Sequence, residues 1–295
     1  MKYGIYLPNF GSFGNAKLLS DIAEEAENAG WDGCFIWDHL VRSIVAPVVD
    51  PWVALAAMAV KTERIKIGAL VTPPARRRPW KLARETVSLD HLSNGRLVFG
   101  IGLGGASGQA VEWENFGETV DLRERAEKME EALEVLVGLW SGKPFSYKGR
   151  HFEVKESIFL PPPLQQPRIP IWAAGYWPHK APFRRAAKWD GAVPIFNPEE
   201  GQPPLSQMKE LIQLVRNTRG SLDNFEIVYG VKPAPRDQDP MREAILPFME
   251  AGVTWWNEQI YPIHFGKGWE GEWPVKEMVQ FIRQGPPRVG SDYSG

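Results

Sequence analysis

Asp38 and His39 are the residues of this 295-residue chain best suited to moving a proton. Histidine titrates near neutrality, so it exchanges protons at ordinary pH, and an adjacent carboxylate can orient it or a water. Neighbours in an extended segment tend to point in different directions, so the pair is poorly placed to chelate one metal. The histidines at 39, 91, 151, 179 and 264 are scattered, without metal-ligand spacing. A second reading gives the pair structural work only, with Asp38 capping a strand and His39 packing against Trp37.

A glycine-rich stretch carries the next signal. Leu97, Val98, Phe99 and Ile101 form an apolar run, and Gly100, Gly102 and Gly104 recur with period two. In a strand these glycines share one face and leave it bare, so a flat ligand can approach the backbone there. That makes Gly102 and Gly104 candidate cofactor contacts; relief of crowding inside a barrel explains the same glycines equally well. Gly100-x-Gly102-x-x-Gly105 formally matches a dinucleotide fingerprint, but it runs into Ala106-Ser107-Gly108-Gln109 and not into a helix, which argues against a Rossmann site. Arg76-Arg77-Arg78 is either a solvated loop or a set of guanidinium groups that reaches a cofactor phosphate or acidic tail. Trp172, Tyr176 and Trp177 could wall a flat ring or serve as packing. The lone Cys34, in an apolar run, reads as a buried structural thiol.

These residues need elements to hold them. Tyr3 to Leu7 is a short strand, and Leu18, Leu19, Ile22, Ala23 and Ala26 repeat at helical spacing before Asn28-Ala29-Gly30. Cys34 to Trp37 is a second strand with Asp38-His39 at its C-terminal end. Asp50-Pro51 opens a helix over 52–60, a strand follows over 65–71, and Pro79 opens the helix that stops at Asn94-Gly95. A long amphipathic helix covers 120–139, then a small hairpin and a Pro-rich connector form an excursion over 141–168. Strands at 171–174, 191–196, 225–231 and 254–261 alternate with helices at 183–188, 205–218, 242–251 and 275–282. The alternation gives about eight βα units: one TIM barrel over 1–295. Chemistry in such barrels sits at the C-terminal rim, which would gather Asp38-His39, Leu70 to Pro73, Gly102 to Gly105 and Gly175 to Trp177.

Composition narrows the class. An apolar fraction of 43% supports a large core, and a net charge of −2 argues against non-specific nucleic-acid binding. No apolar run has membrane-spanning length, the N-terminal run is too short for a signal peptide, and a single cysteine suits a reduced, cytosolic setting.

The motifs together resemble the bacterial luciferase-like superfamily. They are W-D-H-L from Trp37, I-G-A-L-V-T-P from Ile67 and S-L-D-H-L-S-N-G-R-L-V-F-G-I-G-L-G from Ser88. R-E-R-A-E-K-M-E-E-A-L-E-V-L from Arg123, K-G-R-H-F from Lys148, P-I-W-A-A-G from Pro170 and A-A-K-W-D-G from Ala186 follow in family order. The resemblance implies a TIM barrel, usually dimeric, that binds FMN or the deazaflavin F420 at its rim. It also implies an oxidoreductase that moves a hydride or inserts oxygen into a small organic substrate, with a flavin reductase as electron source where reduced FMN is used. His39 matches the family's active-site histidine, Ala69-Leu70 match a non-proline cis bulge behind the flavin ring, and Gly175-Tyr176 match the backbone that holds the cofactor phosphate. Two departures stand out. Leu103 replaces the arginine of luciferase's phosphate clamp, and Gly105 stands where F420-dependent sugar-phosphate dehydrogenases carry a catalytic glutamate. Light emission and a glucose-6-phosphate-type substrate are therefore not expected. Two other functions fit the same residues: a non-catalytic flavin-binding protein of this fold, and a phosphate-handling barrel enzyme without flavin.

Overall fold

Parallel strands with no polar alternation, each followed by a helix, bury both faces either in an open sheet layered by helices on each side or by closing into a barrel. The computed structural model, which describes residues 1–105, 111–196, 205–233 and 238–289, shows that closure. Its barrel strands are β1 (Lys2–Leu7), β2 (Gly33–Ile36), β3 (Lys66–Ala69) and β4 (Phe99–Ile101), then β7 (Ile171–Tyr176), β8 (Gly191–Ile195), β9 (Glu226–Val231) and β10 (Trp255–Gln259). They pair in the order β3-β2-β1-β10-β9-β8-β7-β4, all parallel. Parallel bridges Ile67–Leu97 and Thr72–Ile101 join the two ends. The TIM barrel expected from the alternation is the observed fold. The hairpin is β5 (Phe145–Lys148) with β6 (Glu153–Ser157), antiparallel and outside the barrel. It is tied down by Glu131, whose carboxylate accepts from the backbone N–H groups of Arg150, His151 and Phe152 at 2.8, 2.9 and 3.0 Å.

Around the barrel lie α1 (Ala16–Asn28), α2 (Pro51–Lys61), α3 (Pro79–Leu92), the short α4 (Val111–Glu114), α5 (Leu122–Trp140), α6 (Lys180–Ala186), α7 (Leu205–Arg219), α8 (Gln238–Ala251) and α9 (Val275–Arg283). Side-chain caps set the starts of α1, α2 and α5. Asn15 accepts from Leu18 N–H, Asp50 from Trp52 and Val53 N–H, and Asp121 from Glu124 N–H. After α3 the chain turns back through Asn94 (φ 53°) and Gly95 (φ 76°), as their types predict. Arg96 then reaches under the barrel and donates to the carbonyls of Ala59, Thr62, Ile65 and Ser93, locking the end of α2 to the start of β4.

Inside the barrel, alternate residues of each strand meet at the axis. Phe35, Leu70, Val98, Trp172, Val228 and Trp255 fill the centre. Phe35, Trp172 and Trp255 touch mutually, with ring centroids 5.4–5.6 Å apart. Cys34 faces the helix layer, fully buried, and burial pushes its thiol well up, as suits a structural residue.

Candidate active site

Above that aromatic plug the inward positions become small. Val71, Ala174, Val193 and Gly230, with Tyr6 and Gln259, are each partly open to the C-terminal mouth. Tyr6, Val71 and Val193 pack down onto the plug and line its mouth-facing side. Tyr176, 53% exposed, stands on the rim of the mouth. Burial raises the Tyr6 phenol well above its usual range, with the neighbouring Tyr176 and Asp38 adding to the shift.

The bulge in the third strand is present, one residue later than expected. The cis peptide joins Leu70 to Val71, not Ala69 to Leu70. It leans on β4, and this explains the glycines. A Cβ on Gly100 would lie 2.3 Å from the Ala69 carbonyl oxygen and 2.5 Å from Leu70 Cδ2, and one on Gly102 would lie 2.5 Å from Val71 Cγ2. Gly104 (φ +79°) faces Trp113, whose ring would sit 2.5 Å from an added Cβ. The bare face expected to admit a flat ligand is therefore filled by the protein's own third strand and Trp113. Of the two readings of these glycines, the structure bears out crowding. Ala69 is buried in the outer core and Leu70 in the barrel plug, so any contact with a ligand there runs through Val71.

The polar residues of the mouth form one buried network. Asp38, at the exit of β2, accepts from Arg77 Nη2 at 2.8 Å on both oxygens and from Arg76 Nη2 at 2.9 Å. Arg76 also donates from Nη1 to Glu112 at 3.1 Å, so one guanidinium bridges two carboxylates. Glu112, on α4, takes the Leu40 backbone N–H at 2.8 Å and His39 Nδ1 at 3.0 Å. Arg42 Nη1 lies 3.2 Å from His39 Nε2. A guanidinium can only donate, so at that contact Nε2 accepts, and Nδ1–H faces Glu112. Burial works against ionising Asp38, but the Arg77 and Arg76 charges outweigh it and hold the carboxyl below its usual range. Glu112 behaves likewise: burial opposes its charge, and the hydrogen bond from His39, the Arg76 charge and the Leu40 N–H prevail.

Several expectations change here. Asp38 does not orient His39; Glu112 does, and Asp38 is held by arginines. Arg76 and Arg77 are neither a solvated run nor free to meet a phosphate, because they neutralise Asp38 and Glu112; Arg78 is exposed beside Trp80. Trp177 does not wall the mouth: it is buried against Phe183 of α6, 5.8 Å between centroids. Trp172 lies inside the plug. Gly175 faces outward, where an added Cβ would strike Pro182 at 2.2 Å, so it serves the close packing of α6. His39 does pack against Trp37, at 5.2 Å, while also joining the network. The residues from Ala106 to Gln109 lie outside the described residues.

Sequence reasoning missed Glu112, Arg42 and Tyr6. The signal for Glu112 was its neighbour. Trp113, next to it on α4, is fully buried between Arg125, 3.5 Å from its ring, and Arg76 at 5.8 Å, and Glu112 is buried beside it. His264 was missed as well. Stacked on Tyr261 at 5.6 Å, it is pushed down to about 4 by burial and by the Lys232 charge.

Fold and site together define a (β/α)8 barrel with its polar machinery at the C-terminal mouth, beside a bulged third strand. The family profile of luciferase-like monooxygenases matches residues 1–272, and the chain belongs to that family. An F420-dependent glucose-6-phosphate dehydrogenase of Microbacterium testaceum (strain StLB037) is 32% identical over 183 residues, 59% of this chain and 52% of that protein. The oxygenase component of a flavin-dependent trigonelline monooxygenase of Acinetobacter baylyi (strain ATCC 33305 / BD413 / ADP1) is 28% identical over 166 residues, 56% of this chain and 44% of the other. The matches thus span about half the length of these relatives. Among solved structures, an F420-dependent secondary alcohol dehydrogenase in complex with an F420–acetone adduct superposes with a TM-score of 0.76 at 17% identity, covering 97% of this chain and 98% of that one. The monooxygenase RslO1 from Streptomyces bottropensis gives 0.74 at 20% identity, covering 96% and 97%. At such identities these two likenesses establish the fold. Among the described residues, no helix is long and apolar enough to cross a membrane.

Proposed function

We propose that this protein is an oxidoreductase that holds reduced FMN or F420 in the barrel mouth and acts on a small organic substrate by hydride transfer or oxygen insertion. The observation that carries the reading is the floor: small, partly open Val71, Ala174, Val193 and Gly230 above a buried plug, with His39 at one side. A tricyclic ring needs a flat apolar seat with main chain close by, and these residues fit that need. Val71 and Ala174 would meet the ring, and the main chain at Gly175-Tyr176 would hold the phosphate. When bound, the cofactor supplies the hydride or activates oxygen. The chain's part is to position, to exclude water and to exchange a proton at His39 Nε2, the ring nitrogen that no carboxylate holds. The engagement of Arg76 and Arg77 by carboxylates removes the groups best placed for an acidic tail, which favours FMN. A homodimer, with a separate reductase to supply reduced FMN, completes the proposal.

A second reading, binding without turnover, draws on the engagement of both His39 nitrogens within the protein. Absorption titration with each cofactor tests the first reading, since the two absorb differently; absence of binding to both refutes it. Assay of His39→Ala then separates the two readings. Lost turnover with cofactor affinity kept supports catalysis, whereas a parent that binds flavin and shows no turnover with any reductant supports the second.

A further inference from the structure

The wall of the mouth next to His39 is aromatic and carries one cation with no anion of its own. Arg42 lies over the rings of Phe10, 4.6 Å to its centroid, and Trp37, at 5.8 Å. Its Nη1 meets His39 Nε2, and its Nε is buried without an acceptor. Among the described residues no carboxylate lies within ion-pair distance of it. Glu112, whose charge acts on Arg42, has both oxygens engaged by Arg76, His39 and Leu40. Arg76 and Arg77 are thus matched to Asp38 and Glu112, whereas Arg42 has no such partner among the described residues. Around it, Trp37 touches Trp269 at 5.6 Å and Tyr261 at 4.9 Å, and both indoles are partly exposed.

We propose that this wall selects a small aromatic carboxylic acid, with Arg42 taking the carboxylate and Trp37 and Trp269 taking the ring. A guanidinium fork matches a carboxylate bidentately, and its stacking on Phe10 and Trp37 fixes the plane of the fork before the ligand arrives. An indole pair offers a planar ring large contact area at low cost in side-chain entropy. The carboxylate would supply the counter-ion that Arg42 lacks among the described residues. This deepens the redox reading by naming its substrate class, and it rests on that reading for the fate of the bound acid, not for its binding.

Calorimetric titration tests it, using benzoate and nicotinate against benzamide and nicotinamide, on the protein alone and after loading with FMN or F420. Parent protein is expected to bind each acid at least about tenfold more tightly than its amide, the scale of one charge-assisted pair. Arg42→Met should abolish that preference while the variant still melts cooperatively and keeps its cofactor affinity. Arg42→Lys, which keeps the charge without the fork, should retain a smaller preference. Equal affinity for acid and amide in the parent overturns the inference. So does a preference that survives in Arg42→Met, or a loss of cofactor affinity in that variant with the acid preference intact, which would assign Arg42 to the cofactor. Failure of both cofactors to bind, with the acid preference present, would sink the redox reading and leave this one standing.

Discussion

Glu112→Gln is the change that most directly probes the network. The substitution keeps shape and removes charge. Every group around this carboxylate is a donor: Leu40 N–H and His39 Nδ1 on one oxygen, Arg76 Nη1 on the other. A glutamine must therefore point its NH2 at a donor. The less damaging orientation keeps the carbonyl towards His39 and Leu40 and sets NH2 against Arg76. The Glu112 side chain is 4% exposed and that of Arg76 1%, so water cannot repair the loss. Breaking one partner out of a buried ion pair costs about 3–5 kcal/mol. For a chain of this length that lowers the thermal midpoint by roughly 6–10 °C. Glu114→Gln, two residues on and exposed, is the matched control and should stay within about 0.5 kcal/mol of the parent. Thermal melts followed by circular dichroism give both numbers. Combining Glu112→Gln with Arg76→Met should cost less than the sum of the two alone, because they remove the same interaction. A midpoint unchanged in Glu112→Gln, or strict additivity with Arg76→Met, would refute the network as the support of His39.

Two further outcomes follow from the same geometry. Arg96→Lys leaves a point charge where a fork served the carbonyls of Ala59, Thr62, Ile65 and Ser93; with two or more acceptors stranded, urea midpoints should report a loss of roughly 2–5 kcal/mol, and a loss below about 0.5 would contradict the lock. Stability should also fall with acid in two stages. His264, at about 4 folded against 6.5 ordinarily, binds its proton more readily when unfolded, so stability drops as pH falls from 6.5 towards 4; the depressed Asp38 and Glu112 hold their contribution above their ordinary values of 3.8 and 4.5 and lose it below them. Urea midpoints at intervals between pH 7 and 3 check this, with His264→Gln expected to flatten the first stage only.

What could be read from the sequence divides along physical lines. Strand and helix alternation, the stop at Asn94-Gly95, the cap at Asp50 and the helix-opening Pro79 are local effects, set by residues within a turn of one another, and they give the barrel directly. The barrel in turn places Asp38 and His39 at the mouth, because strand ends are where the chemistry of this fold gathers. Pairing is different. Asp38 meets residues 38 and 39 positions away, and His39 meets a carboxylate 73 positions away, so no window of sequence contains either contact. The adjacency of Asp38 and His39 invited one shared role; alternation sends them to different partners, and only Arg76, bridging Asp38 and Glu112, reconnects them. The glycines teach the same point from the other side. A period of two says correctly that one face is bare, but what occupies a bare face depends on the neighbouring strand. Here the third strand at Ala69 to Val71 moves in, so the protein itself covers the face that the glycines leave bare.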